Sequence, residues 1–282
     1  MNMIAIEKEP MNERELLEIE LLLEALYRYY GVDFRNYVMP TIRRRVWNRI
    51  QAERLKTISG LQEKVLHDRL AFKRLANDFS INVTELFRDP SFFKAFREQV
   101  VPQLKDYPRI RIWHAGCSTG EEAYSMAILL HEEGLLEKTR IYATDMNEAV
   151  IEEAKLESFP LDRMAAYAHN YVQAGGKNSM KDYVSVTNAR AEFKAFLGEK
   201  ITFAQHNLAV DESFNEFHVI ICRNVMIYFN SYLQNRVHEL FYQSLSPSGF
   251  LGLGHKESMT FTSFTDCYKE MEPNEKLYRK VK

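Results

Sequence analysis

Two adjacent acids, Glu121 and Glu122, follow at once on a cluster of small residues, Ala115-Gly116-Cys117-Ser118-Thr119-Gly120. Small side chains at such a place let a ligand approach the backbone, and a helix start offers free N–H groups. The acids decide which ligand fits. Two carboxylates there repel a pyrophosphate and compete with it for the same N–H groups, and the glycines lack the G-x-G-x-x-G spacing. Nicotinamide and flavin dinucleotides are therefore disfavoured. A ligand that carries positive charge and no phosphate suits this turn better.

A third acid lies downstream. Asp145 closes an apolar run, where a carboxylate either accepts hydrogen bonds from ribose hydroxyls or caps the next helix. Loop and acid together point to an adenosine-containing ligand. S-adenosylmethionine fits, because it carries a sulfonium and an amino group and no phosphate. Two further stretches interleave polar with apolar residues. One is Asn82-Val83-Thr84-Glu85-Leu86-Phe87-Arg88; the other is Ile221-Cys222-Arg223-Asn224-Val225-Met226-Ile227-Tyr228-Phe229. Arg223 and Tyr228 are either site residues or, more blandly, an arginine capping a sheet and a tyrosine in the core. The cysteines, Cys117, Cys222 and Cys267, are three in number and far apart, which makes neither a disulfide framework nor a zinc pattern. The histidines form no i,i+4 pair and do not cluster with cysteine, so no metal site is expected.

Elements that position these residues can be read from periodicity. Up to about residue 108 the pattern is helical. Expected helices are Glu13 to Tyr30, Thr41 to Glu53, Ser59 to Leu66, Asp68 to Asp78 and Pro90 to Leu104. From Arg109 onward short apolar runs alternate with helical ones. Strands are expected at Ile110–His114, Arg140–Thr144, Ile201–Ala204, His218–Cys222 and Phe250–Leu253. Helices are expected at Glu121–Glu133, Asn147–Lys155 and Ser231–Ser244. This alternation argues for an α/β domain with a mostly parallel sheet. Between Phe159 and Lys200 the rhythm breaks, and Gly175-Gly176 suggests a turn flanked by Tyr171-Val172 and Tyr183–Val186 in a small β-rich lobe. The chain closes on an expected hairpin around Pro273-Asn274.

Composition sets bounds. With 282 residues, 46% hydrophobic and 27% charged, the chain is of ordinary globular type. A net charge of −2 points to neither nucleic acid nor an anionic membrane as partner. The first ten residues, MNMIAIEKEP, lack the pattern of a signal peptide, and no apolar run approaches a membrane span. A cytoplasmic monomer is expected. Charge is uneven, however. Arg35, Arg43, Arg44, Arg45, Arg49, Arg54 and Lys56 face Glu53 alone over residues 35 to 56, which makes either a solvated helix face or a docking surface for an acidic protein.

Taken in order, NVTELFRDPSFF, IWHAGCSTGEEAYSMA, IYATDMNEAVIEEA, HNL and ICRNVMIYF resemble the CheR family of chemotaxis receptor methyltransferases. GFLGLGHKES and NEKLYRKV fit it too. The resemblance implies an all-α N-terminal domain (residues 1–90, with a linker helix to about 108) before a Rossmann-like S-adenosylmethionine-dependent methyltransferase domain at 109–282. A small inserted β-subdomain would span about 159–200. It implies methyl transfer to glutamate side chains in the cytoplasmic domain of chemoreceptors, with S-adenosyl-L-homocysteine as the other product. Cofactor contacts are implied for Asn82, Thr84, Arg88, Glu122, Asp145, Asn207, Leu208, Arg223 and Asn224. Arg88 and Tyr228 match family residues next to the transferring methyl, and Arg43, Arg44, Arg45 and Arg49 lie on the helix implied to face the receptor. One departure is Ala123, where family members often have proline; its loss takes rigidity from the first helical turn. A non-catalytic S-adenosylmethionine-binding signalling module is the alternative. A nucleic-acid methyltransferase is disfavoured, since neither an Asn/Asp-Pro-Pro-aromatic motif nor a strongly basic balance is present.

Overall fold

The computed structural model describes residues 10–282 except Ile81, Asn188, Phe261 and Pro273. Most of the N-terminal segment read above against a signal peptide, and the proline of the expected hairpin turn, lie outside the described residues. The chain forms two compact units, one of residues up to 81 with Tyr228–Gln234, the other of Asn82–Ile227 with Asn235–Lys282.

The first unit is built of α1 (Glu13–Tyr30), α2 (Met39–Ala52), α3 (Ile58–His67) and α4 (Arg69–Phe79). Asn12 caps α1 by accepting from the Glu15 N–H at 2.9 Å. Gly31 ends it at φ 73°, a left-handed turn that glycine adopts without strain. Of the apolar positions on α1, Ile19, Leu22, Leu23 and Leu26 are buried, while Leu17 and Leu21 are half exposed. Ile42, Val46, Ile50, Leu61, Val65 and Leu75 of the other three helices are buried as well, each set on one face as amphipathic spacing requires. The excursion Tyr228–Gln234 is stitched to the loop before α2. The Val38 N–H donates to the Tyr228 carbonyl at 2.9 Å, Asn230 N–H donates to the Asn36 carbonyl at 2.8 Å, and Tyr37 bridges Phe229.

The second unit begins with α5 (Pro90–Gln99) and α6 (Val101–Leu104). The expected boundary at residue 90 or later differs from the division at 81 for a simple reason. Phe92, Phe93 and Phe96 are fully buried in the same core as Ile112, Tyr124 and Ile221, so α5 belongs to the sheet. The strands are β1 (Ile110–Ala115), β2 (Thr139–Asp145), β6 (Ile201–Gln205), β7 (Phe217–Cys222), β8 (Leu245–Leu253), β9 (Tyr268–Glu272) and β10 (Leu277–Lys280), with β3 to β5 given below. They form one sheet in the order β6-β2-β1-β7-β8-β10-β9. The first five are parallel; β10 runs antiparallel to β8 and to β9. α7 (Glu121–Glu132) follows β1 and α8 (Glu148–Ala154) follows β2. The chain moves outward from β1 to β2 and later returns to β7 on the other side of β1. That reversal is where open α/β sheets take ligands, outside the carboxyl ends of the strands.

The insertion is a three-stranded antiparallel sheet, β3 (Ser158–Pro160), β5 (Arg190–Phe193) and β4 (Val184–Thr187), with a helix, α9 (Met164–Gln173), inside it. Tyr171 and Val172 thus lie on a helix rather than beside the turn as strand. Gly176 is explained by packing, because a Cβ there would sit 2.3 Å from the Tyr171 ring. The buried Glu132 carboxylate holds this turn, accepting from the Tyr171 hydroxyl, from Tyr183 Oη at 2.9 Å and from Lys177 N–H at 3.0 Å. Arg97 supplies the neutralising charge at 2.7 Å.

Candidate functional site

β1 ends in a loop that needs glycine twice. Gly116 has φ 81° and Gly120 φ 93°. A Cβ on Gly116 would meet Val225 Cγ2 at 2.4 Å, so this glycine also sets how closely the loop after β7 approaches. The N–H groups of Gly116 and Cys117 both donate to the Thr144 carbonyl, at 2.7 and 2.9 Å, which fastens the loop to the end of β2. Four non-glycine residues with positive φ, Phe87, Asp89, Ser118 and Asn224, lie in the segments that meet here. Backbone held so far from its preferred basins collects at functional sites.

Asp145 accepts from Ser118 N–H through one oxygen and from Asn147 N–H through the other, both at 3.0 Å. It does not cap α8; Asn147 does, accepting from Ala149 N–H at 3.0 Å. Burial raises the Asp145 carboxyl above its ordinary range, and these backbone donors pull against that.

The paired acids divide their work. Glu121 turns inward, accepts from the Thr119 hydroxyl at 2.6 Å, and has its carboxyl raised by burial. Glu122 accepts from His114 Nδ1 at 2.9 Å and from Arg223 Nη1 at 3.0 Å. Burial works to raise its carboxyl, but the His114 hydrogen bond and the Arg223 charge outweigh it and hold it below the usual range. The Arg223 side chain is wholly inaccessible to solvent. Its guanidinium also donates to Asp89 at 2.7 Å and to the Arg88 carbonyl at 3.0 Å, and it lies 4.2 Å over the Phe92 ring. Asp89, Arg223 and Glu122 therefore make one ion chain, two carboxylates to one guanidinium. The excess negative charge suits a cation and opposes a phosphate.

The remaining sequence-predicted residues divide as follows. Arg88 is half-buried, with Nη1 donating to the Val83 carbonyl at 2.8 Å; Asn82 and Thr84 lie in the same segment and are partly exposed. Asn207 follows β6, where its N–H donates to Asp211 at 2.7 Å and its side chain accepts from Ala209 N–H at 3.0 Å; Leu208 is buried. Asn224 follows Arg223 directly and has φ 62°. Tyr228 belongs to the first unit. On α2 the four arginines are not equivalent. Arg43 is bound twice to Glu15, at 2.7 and 3.0 Å, and Arg49 is paired with Asp78 at 2.7 Å and Glu53 at 3.4 Å. Those two charges are spent within the fold. Arg44 is exposed and Arg45 half-buried.

Sequence reasoning passed over three residues. His114 stands in an apolar strand eight positions before Glu122, which carries it from the strand end to the first helical turn. Asp89 adjoins a proline that starts α5. Glu257, in GHKES, accepts four backbone N–H groups, described below. Among the described residues no group of His, Cys, Asp or Glu could hold a metal ion. Nor is any helix there long and apolar enough to cross a membrane.

The comparisons agree with this architecture. A family model described as the CheR methyltransferase SAM-binding domain matches residues 82–276, and one described as the CheR methyltransferase all-alpha domain matches residues 17–80. A protein of Pseudomonas putida KT2440, provisionally named methyltransferase Cher3, is 46% identical over 94% of this chain and 97% of its own length. The chemotaxis protein methyltransferase of Borreliella burgdorferi is 28% identical, covering 86% of this chain and 88% of its own. Chemotaxis protein methyltransferase 2 of Pseudomonas aeruginosa is 28% identical over 87% and 88% of the two chains.

Proposed function

Because the chain belongs to the CheR methyltransferases, whose cofactor is S-adenosylmethionine, we propose that it methylates glutamate side chains in the cytoplasmic domain of chemoreceptors. The observation that carries the reading is the ion chain Asp89–Arg223–Glu122 at the reversal point of the sheet. In this reading Glu122, held by His114 and Arg223 yet still partly accessible, meets the amino group of the cofactor, and Asp145 meets its ribose hydroxyls. Asn82, Thr84, Asn207, Leu208 and Asn224 complete the cofactor contacts, while Arg223 acts through Glu122 because its own side chain is enclosed.

Bound S-adenosylmethionine supplies an electrophilic methyl on a sulfonium. A glutamate carboxylate is ionised near neutral pH, so this chain needs no general base. Its task is alignment, which is worth up to about 7–11 kcal/mol when reacting atoms are held in line. Arg88 orients the incoming carboxylate through its charge. Tyr228 donates a hydrogen bond to the carboxylate oxygen that does not attack. The helical unit meets the acidic receptor with Arg44 and Arg45, since Arg43 and Arg49 are engaged at home. The protein acts in the cytoplasm, where such receptor domains lie.

Tritiated S-adenosylmethionine with a receptor cytoplasmic fragment tests this. Base-labile label on glutamate is expected, with R88A reducing it severely and Y228F lowering turnover at unchanged cofactor affinity. Cofactor binding with no label on any receptor fragment would leave a signalling module and sink the reading.

A further inference from the structure

We propose that Glu257 is a positioning residue of the cofactor site, holding the loop after β7 in its left-handed turn. This rests on the reading that Arg223–Asn224 belong to that site. The Glu257 carboxylate is buried and accepts four backbone N–H groups. One oxygen takes those of Val225 and Met226, both at 2.8 Å; the other takes Asn224 at 3.0 Å and Gly254 at 2.6 Å. Three consecutive N–H groups converge on one side chain from more than thirty residues away. All three lie beyond the end of β7 at Cys222.

The geometry gives this clamp a route to the site. Asn224 sits at φ 62°, a conformation that costs free energy in a non-glycine residue and persists only when its surroundings hold it. On one side of Asn224 is Arg223, bound to Glu122. On the other is Val225, whose methyls occupy the space a Gly116 side chain would need. Fixing the N–H groups of residues 224–226 therefore fixes both the guanidinium that holds Glu122 and the apolar contact that seats the glycine loop. Gly254 lets the clamp close, because a Cβ there would lie 2.8 Å from Glu257 Oε2 and 2.9 Å from the Asn224 nitrogen. Burial raises the Glu257 carboxyl and the four donors lower it. Such opposition is what a group retained for four hydrogen bonds would show.

The test is E257Q. Its amide nitrogen would face N–H groups it cannot accept from, so half of the clamp is lost. Calorimetric titration with S-adenosylhomocysteine is expected to give an affinity about ten-fold or more weaker, the size of leaving buried donors unpaired. Hydrogen exchange should accelerate at Asn224–Met226 and not across the sheet. L136A, a core truncation at a residue buried away from this loop, serves as a control for destabilisation. It should unfold at lower temperature and bind S-adenosylhomocysteine as the wild type does. Wild-type affinity in E257Q would overturn the proposal, and so would an equal loss in L136A. Should E257Q fail to fold, E257D, one methylene short, is read in the same way: faster exchange at the loop with unchanged affinity overturns the proposal. None of these readouts uses a receptor, so a failure to methylate receptors leaves this inference standing or falling by itself.

Discussion

Glu122→Gln separates the ion chain from every other feature of the site. The carboxylate serves two donors, His114 at 2.9 Å and Arg223 at 3.0 Å. An amide of the same shape has one oxygen and one NH2; with the oxygen on Arg223, the NH2 faces His114, which has to accept through Nδ1 as its other tautomer, and the ionic part of both contacts is lost. Arg223 keeps Asp89 at 2.7 Å and the Arg88 carbonyl, so its charge is not stranded. The loss is then that of one or two hydrogen bonds to a charged group, about 2–3 kcal/mol, rather than the ~3–5 kcal/mol of a broken buried pair. At roughly 2–4 °C per kcal/mol for a chain of this size, melting should fall by about 4–12 °C in a calorimeter. If the same carboxylate meets the cofactor's amino group, S-adenosylhomocysteine affinity should fall by a further ~10–100-fold, the equivalent of one charge-assisted hydrogen bond. Binding is measured well below the variant's melting point to keep the two effects apart. A melt within about 1 °C of wild type, together with unchanged affinity, would refute the account of Glu122, since an acid so enclosed cannot be both paired and dispensable.

Further perturbations follow from the structure. Gly116→Ala should lower stability by about 1–3 kcal/mol and weaken cofactor binding; adding V225A relieves the clash but leaves the φ strain, so denaturant melts of the double variant should recover only in part. Arg43→Ala strips the buried Glu15 of both its guanidinium bonds and should cost about 2–3 kcal/mol in circular-dichroism melts. Arg44→Ala should melt within about 0.5 kcal/mol of wild type yet slow receptor methylation; equal melts for the two variants would contradict the division of the arginines. Glu53 is held at a pKa of about 2, against 4.5 unperturbed, by Arg74 first and then Lys64. Its folded value is lowered, so its contribution is complete above pH ~4.5 and disappears as pH falls through ~2; it amounts to about 1–2 kcal/mol once the exposure of Arg74 is allowed for. E53Q should flatten the melting-temperature profile over that window and no other.

Much of this was legible in the chain. Helices and strands could be read where apolar spacing was strong, as at Ile110–Ala115 and Glu121–Glu132, because a sheet buried on both faces demands continuous hydrophobic runs. Weak periodicity misled. Tyr171-Val172 resembled a strand edge because two adjacent large residues fit either period, and only burial of the Tyr171 ring against Gly176 distinguishes them. The arginines of α2 resembled a free basic face because sequence shows charge and not its partners. Glu15 is 28 residues from Arg43 and Asp78 is 29 from Arg49. Likewise Glu121 and Glu122 were a pair in the chain and are not a pair in space: one turns to Thr119, the other to Arg223. Glu257 left no signal, since an acid whose partners are backbone N–H groups needs no particular residue types around it.

The excursion Tyr228–Gln234 has a consequence for inheritance. Hydrogen bonds tie it to Asn36 and Val38, and Phe229 bridges Tyr37, so the helical unit is completed by seven residues encoded far downstream. The first 81 residues are therefore not a cassette. A recombination event that exchanged them between relatives would set foreign helices against a resident strap and leave the Val38 and Asn230 N–H groups to find new acceptors. Exchange that preserves folding has to move both segments at once. The strap is only two residues beyond Met226 in the loop that Glu257 clamps, so selection on the helical unit and selection on that loop act on neighbouring codons.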